Sequence, residues 1–358
     1  MSETKKIIKF TKPVPTLPNE TLQDIFQYLG RYTLQQTLLV NKRWCANTIF
    51  TFWKQPFHYS HDFRIIKTYL SFLEDGDDAE KQKLLDAGIE IPSKVENRIF
   101  EIPSVLVHLK YCGVIVAVKN LIANRGNAKV EINDTTNLMN LIIETLLRLF
   151  VRKEVKLVSL NLTCEKKFDP FLRFVDPEYL ELTKNLKELY IDSKCPRGLL
   201  FQWAAGNCRK LHSLEIDLVR WRRAKQSNRK DLTDDENLAR LICAQNELQY
   251  FKLSHYAHRK DLKTQLIVDA LATQANTLQH VIFNVVSFAR CRPLEGLAKC
   301  INLNSIEFHS VYKLQEFEIV QPLISAKFNN LKKVIIVEPA QVCEELRKWA
   351  DTINNMKK

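Results

Sequence analysis

Three arginines, Arg220, Arg222 and Arg223, open the segment RWRRAKQSNRK, which carries six basic residues in eleven between Arg220 and Lys230. Paired guanidinium N–H donors match the oxygens of phosphate or carboxylate, so the chemistry on offer is capture of a phosphorylated or acidic group. Three readings stay open: a solvated loop, a nuclear-import or nucleic-acid patch, and a contact for an acidic or phosphorylated substrate. Other chemically capable sets are sparser. Cys195, Cys208 and His212 approach a zinc spacing but lack a fourth ligand at finger-like distance, and they read as buried structural thiols with a nearby histidine. His255 and His258 are three apart, follow a predicted strand without a partnering Glu, and read as loop histidines. Cys208 with His212, or Ser254 with His255, comes nearest to a nucleophile beside a base, and no local catalytic signature surrounds either pair. The expectation is a non-catalytic protein without metal or cofactor.

That basic segment belongs to a chain of 358 residues with formal net charge +12. A hydrophobic fraction of 46% with 26% charged residues lies in the globular range, and the length admits two domains or a small module plus a repeat array. Met1 to Lys12 is basic, but no apolar stretch with a small-residue cleavage site follows, so no secretory signal is expected. The most apolar stretch, Val105 to Ala123, is interrupted by His108, Lys110, Lys119 and Asn120, which argues against a bilayer span. Nine cysteines without a CxxC pair suit reduced thiols in the cytoplasm or nucleus.

The N-terminal elements are read from LPNETLQDIFQYLG, where Leu22, Ile25, Phe26 and Leu29 recur at i, i+3, i+4 and i+7 and predict a helix with one apolar stripe. Pro18 suits its first turn, and Gly30 is expected in a left-handed cap at its end. Thr33 and Gln36 predict a capping box for a second helix whose apolar side is Leu34, Leu38 and Leu39. A third helix is predicted in NKRWCANTIFTFW, with Trp44, Thr48 and Phe52 in one row and Cys45, Ile49 and Trp53 beside it. A module of about forty residues buries little surface alone, and its tryptophans and aliphatic stripe have the makings of an interface core.

The run Leu17-Pro18-x-Glu20-x-Leu22-x-x-Ile25-Phe26-x-x-Leu29, then Leu38-Leu39-Val40-Asn41-Lys42-Arg43-Trp44, then Phe52-Trp53, resembles the F-box. It departs from the family at Asn41, where Cys or Ser often stands, and at Phe52, where Leu usually precedes the last Trp. The resemblance implies a Skp-type adaptor as partner and, through it, a cullin scaffold. It assigns adaptor binding to Leu17, Pro18, Glu20, Leu22, Ile25, Phe26, Leu29, Leu38, Val40, Trp44 and Trp53, with Pro18, Leu22, Ile25, Leu38 and Trp44 packing directly on the adaptor. The same apolar stripes would also serve an ordinary helical cap on a repeat array.

Four regions are expected: a flexible N-terminus at 1–15, the F-box at 16–55, a helical connector at 56–100 and a leucine-rich-repeat domain at 101–358. In the connector, Ile66, Tyr69, Leu70 and Leu73 predict an amphipathic helix before an acidic turn at Glu74 to Asp78. Leu84-Leu85-x-x-Gly88-Ile89-x-Ile91-Pro92, with LVHLKY further on, resembles the bridging region of fungal F-box proteins with leucine-rich repeats. An L-x-x-apolar-x-apolar phrase then recurs from Leu157, Leu186, Leu211, Leu248, Leu278, Leu303 and Leu331, at gaps of 29, 25, 37, 30, 25 and 28. Most gaps fall in or next to the ~20–29 residues of a leucine-rich repeat. Each phrase predicts a short strand with alternate side chains inward. Helices are predicted between strands, one after Thr233 with Glu236 in a capping box and Leu238, Leu241 and Ile242 as its stripe, another with Leu266, Ile267, Ala270 and Leu271. The fold class is α/β: a three-helix F-box followed by a right-handed leucine-rich-repeat solenoid of strand–helix repeats with a curved parallel sheet. A doubly wound fold is disfavoured because no Gly-rich phosphate loop follows any of these strands.

In that solenoid Asn161, Tyr190, Glu215, Lys252, Ile282, Glu307 and Ile335 form one outward row. Its mixed chemistry suits a protein surface and argues against a nucleic-acid groove. Substrate contacts are therefore assigned to Tyr190, Glu215, Lys252 and Glu307, with Arg220, Arg222 and Arg223 beside them. The expected function is that of a substrate-recognition subunit of an SCF-type ubiquitin ligase. The alternative is a repeat scaffold for protein interaction that is not coupled to ubiquitination.

Overall fold

The computed structural model describes residues 17–59, 61–93, 100–124, 132–163, 174, 176–192, 197–218, 234–255, 263–289 and 291–356. The chain divides into two compact units, Met1–Lys54 and Gln55–Lys358.

In the first unit three helices follow one another: α1 (Asn19–Phe26), α2 (Arg31–Thr37) and α3 (Lys42–Trp53). Pro18 caps α1 from outside, where a missing N–H costs nothing. The Asn41 side chain accepts the Trp44 N–H at 2.9 Å and starts α3, so the residue that departs from the F-box pattern still supplies a side-chain cap. Two local expectations fail. Gly30 is not a left-handed terminator: its φ of −65° with ψ of 159° is extended, and it serves as the N-cap of α2. Helix α1 instead unwinds through shorter i→i+3 bonds from Tyr28 to Ile25 and Leu29 to Phe26. Thr33 therefore lies inside α2 and heads no capping box.

The second unit holds one open sheet of eight parallel strands in sequential order: β1 (His108–Lys110), β2 (Ser159–Leu162), β3 (Glu188–Asp192), β4 (Ser213–Asp217), β5 (Tyr250–Ser254), β6 (His280–Asn284), β7 (Ser305–His309) and β8 (Lys333–Val337). All seven phrases beginning at Leu157 yield a strand in one register, two residues after the leading leucine. Inward residues fall on two ladders. One runs Leu160, Leu189, Leu214, Phe251, Val281, Ile306 and Val334, the other Leu162, Ile191, Ile216, Leu253, Phe283 and Phe308, and none is more than 1% exposed. At roughly 1.5–3 kcal/mol per fully buried aliphatic or aromatic side chain, these ladders are a large attractive term of the unit.

Backbone bonding repeats with the same phase. The carbonyls of Val107, Val158, Lys187, His212, Gln249, Gln279 and Asn304 each accept two consecutive N–H groups from the next strand's entry, at 2.7 to 3.3 Å. Buried polar side chains just before a leading leucine then fasten one repeat to the last. Gln245 takes the Leu211 N–H at 3.1 Å, Gln274 donates to the carbonyls of Ile242 and Gln245, and the Cys300 thiol lies 3.5 Å from the Leu271 carbonyl. Each satisfies a carbonyl or N–H that burial would otherwise leave costly.

The connecting helices are α4 (Pro56–Tyr59), α5 (Phe63–Leu70), α6 (Asp78–Asp86), α7 (Tyr111–Ala123), α8 (Ile132–Arg152), α9 (Leu180–Thr183), α10 (Arg197–Asn207), α11 (Asp234–Cys243), α12 (Thr264–Leu271), α13 (Glu295–Ala298), α14 (Phe317–Ser325) and α15 (Glu344–Asn355). Of the predicted stripes, Leu238, Leu241 and Ile242 on α11 and Ile267, Ala270 and Leu271 on α12 are buried and Leu266 is half-buried, while Thr233 of the expected capping box lies outside the described residues. In the connector, Tyr69 of α5 stacks on Phe57 and meets Phe150 edge-on, tying α4, α5 and α8 together. The acidic turn has a specific counterpart. Arg152 reaches Asp77 at 2.9 Å, Lys153 pairs with Glu74 and Glu101, and Arg148 bridges Glu80 on α6, Glu144 and Glu178. The connector helices thus belong to the sheet-bearing unit.

Candidate functional site

The first unit is knit by a small apolar core and by polar bonds. Leu22, Phe26 and Leu34 form the core, with Leu29 and Trp44 packed on it and the Phe26 and Trp44 rings 5.2 Å apart. Asn47, buried on α3, accepts from Gln23 at 3.1 Å and donates to Asn19 and the Arg43 carbonyl. Arg43 donates to Asn19 at 2.7 Å and to the Leu17 carbonyl, while the Thr37 and Thr48 hydroxyls meet at 2.6 Å. Helix α3 is therefore hydrogen-bonded to α1 on one flank and α2 on the other.

With the core filled this way, the assigned adaptor residues separate into two sets. Leu17, Pro18, Glu20, Ile25 and Val40 are exposed; Leu29, Leu38, Trp44 and Trp53 are half-buried. Leu22 and Phe26 are 3% and 1% exposed, so they act as core residues of the unit, because Leu34 of α2 closes over the stripe the sequence left open. Exposed apolar residues that the sequence reading did not assign complete the surface: Tyr28 at 85%, Tyr32 at 76% and Leu39 at 81%. Leu39 was legible as an apolar neighbour of Leu38, but the turn that turns it outward after α2 was not.

In the second unit, strand register brings together the row read from sequence. Asn161, Tyr190, Glu215, Lys252, Ile282, Glu307 and Ile335 are cross-strand partners in succession, and Lys110 extends the row onto β1. Every member is half-buried. Parallel sheets normally carry cover on both faces, so a polar, partly open face on a parallel sheet is a distinctive surface. Lys252 pairs with Glu215 at 3.3 Å; Glu307 holds Lys333 at 3.1 Å and His309 at 2.9 Å. A second outward row runs His108, Ser159, Glu188, Ser213, Tyr250, His280, Ser305 and Lys333. Within it the His280 ring bonds Ser305 at 2.8 Å and lies 6.4 Å from the Tyr250 ring. Burial, with the Glu215 and Glu307 carboxylates, pushes the Tyr250 hydroxyl up to about 12.

Arg220, Arg222 and Arg223 lie outside the described residues, as do Cys195 and His258. Cys208 is buried and burial pushes its thiol up to about 12, which agrees with a structural thiol; His212 bonds Glu247 at 2.8 Å. Ser254 accepts a bond from Asn284 at 3.3 Å. Among the described residues no group of three His, Cys, Asp or Glu side chains is placed to hold a metal, and no helix is long and apolar enough to cross a membrane.

Residues 14–59 match the family model described as F-box-like. The N-terminal part of the chain therefore carries an F-box-like domain, a class of helical protein-interaction module. A comparison of the chain with curated proteins finds no match.

Proposed function

We propose that this chain is the substrate-recognition subunit of an SCF-type ubiquitin ligase. The F-box-like match at residues 14–59 carries the reading, because F-box domains bind Skp-type adaptors. The exposed residues Pro18, Ile25, Leu39 and Val40 form the docking surface, and Leu22 and Phe26 hold it in shape from beneath. Through the adaptor the protein joins a cullin scaffold in the cytoplasm or nucleus. The sheet-bearing unit is a right-handed leucine-rich-repeat solenoid whose curved, half-exposed face holds a protein substrate. The recurring phrases, the single strand register and the repeat-to-repeat staples support that reading. No bond chemistry is assigned to the chain: it works by proximity, raising the effective concentration of substrate beside a ubiquitin-loaded enzyme.

Capture of a purified Skp-type adaptor by the full chain tests the reading. Ile25→Asp with Leu39→Asp changes only exposed positions and should abolish capture without altering the melting temperature. Capture that survives both substitutions would remove the docking surface from the account. If the unaltered chain captures no adaptor, a scaffold uncoupled from ubiquitination takes its place.

A further inference from the structure

The outward face of the sheet differs in charge from the chain that bears it. Its solvent-reachable strand positions hold four carboxylates, Glu188, Glu215, Asp217 and Glu307, against three lysines, Lys110, Lys252 and Lys333, a net −1 with histidines neutral, while Asp192 is buried. The whole chain is +12. Three of these four carboxylates stand on β3 and β4, around Tyr190. Lys252 and Lys333 each lie beside a carboxylate already, at 3.3 and 3.1 Å. A phosphate brought to either lysine would sit within a few ångströms of the glutamate it displaced, and that repulsion offsets the gain. Further along, the face turns apolar: Ile282 stands beside Lys252 and Glu307 in its row, Ile335 follows Glu307, and the Tyr250 and His280 rings lie one row away. Adjacent strands are about 4.8 Å apart, so β3 and β6 are separated by roughly 14 Å, the reach of about four or five extended residues.

We propose that this face recognises an unphosphorylated, extended segment laid across the strands, with a lysine or arginine against β3 and β4 and an apolar side chain four or five residues away against Ile282. The inference rests on the receptor reading, in which this face holds the substrate. Tyr190 offers its ring and Glu188 its carboxylate to the basic side chain, and Glu215, already beside Lys252, adds its charge from the next strand. Ile282, Tyr250 and Ile335 receive the apolar one, ringed by ion pairs that exclude water. Discrimination against phosphorylated segments comes from Glu215 and Glu307.

Selection of a random twelve-residue peptide library on the full chain tests this. The expected enrichment is Lys or Arg four or five positions from Leu, Ile, Phe or Trp. A synthetic peptide so selected should bind Ile282→Asp at least about tenfold more weakly, and the same loss should follow Ile282→Ala in part. Glu188→Lys with Glu215→Lys should erase the basic preference, and phosphoserine in place of the basic residue should abolish binding. Absence of enrichment, selection of acidic peptides, tighter binding of the phosphopeptide, or indifference to these variants would overturn the proposal. The same variants are assayed for adaptor capture, which they should leave unchanged. Failed selection with intact capture removes this inference alone, whereas failed capture by the unaltered chain removes the receptor reading.

Discussion

Asn47 is buried, accepts from Gln23 and donates to Asn19 and the Arg43 carbonyl, so its loss removes three part-buried hydrogen bonds at once. Asn47→Leu should destabilise the N-terminal unit by about 1–3 kcal/mol, read as an earlier unfolding transition in urea. An unchanged transition would mean the network is dispensable. Cys208 and Cys300 carry a second residue-scale prediction. Burial raises both thiols from 9.0 to about 12, so thiol reagents at pH 8 should modify exposed Cys243 quickly and these two only on unfolding. Since the folded values lie above the unfolded one, the thiols' contribution is complete below about pH 8.5 and is lost as pH rises towards 12. Urea midpoints measured from pH 7 to 11 should therefore hold level and then fall on the alkaline side. At this scale the sequence announced which residues are apolar but not how they are shared out. Leu22 and Ile25 stand on one predicted stripe, yet Leu34 covers the first and leaves the second to solvent, a choice made by the packing of α2 and invisible to periodicity.

Helix and strand spacing depends on a few contacts that tolerate no added atom. A Cβ on Gly296 would overlap the Val268 carbonyl, and one on Gly113 the Phe57 carbonyl, both backbone groups that cannot swing aside. Gly296→Ala should therefore lower the melting temperature although alanine is the better helix former by roughly 1 kcal/mol, whereas Gly30→Ala, open on all sides, should not. At the end of the sheet, the Asn354 side chain donates to the Val334 carbonyl at 2.7 Å and accepts its N–H at 3.0 Å, standing in for a ninth strand. Asn354→Ala uncovers that edge and should give concentration-dependent self-association in sedimentation velocity; a monomer at every concentration would contradict it. The strands themselves were readable because a two-residue alternation recurs at nearly fixed period. β1 escaped notice although LVHLKY carries the same phrase, with Leu106, Leu109 and Tyr111 buried, because the long helices α7 and α8 separate it from the next phrase by far more than a repeat length. The polar staples escaped too, since their residue type varies from Gln to Cys and they stand three or four residues before the leading leucine.

For the molecule as a whole, a small helical module precedes a long parallel sheet in one chain. The chain divides at Lys54 into a unit of three short helices and a unit that carries the leucine phrases. Coupling of the first unit to a ligase adaptor is read directly by sedimentation of the full chain with purified Skp-type adaptor. A one-to-one complex that disappears with Ile25→Asp and Leu39→Asp, in a protein of unchanged melting temperature, is the predicted result. Independent sedimentation of chain and adaptor at concentrations well above micromolar would contradict it.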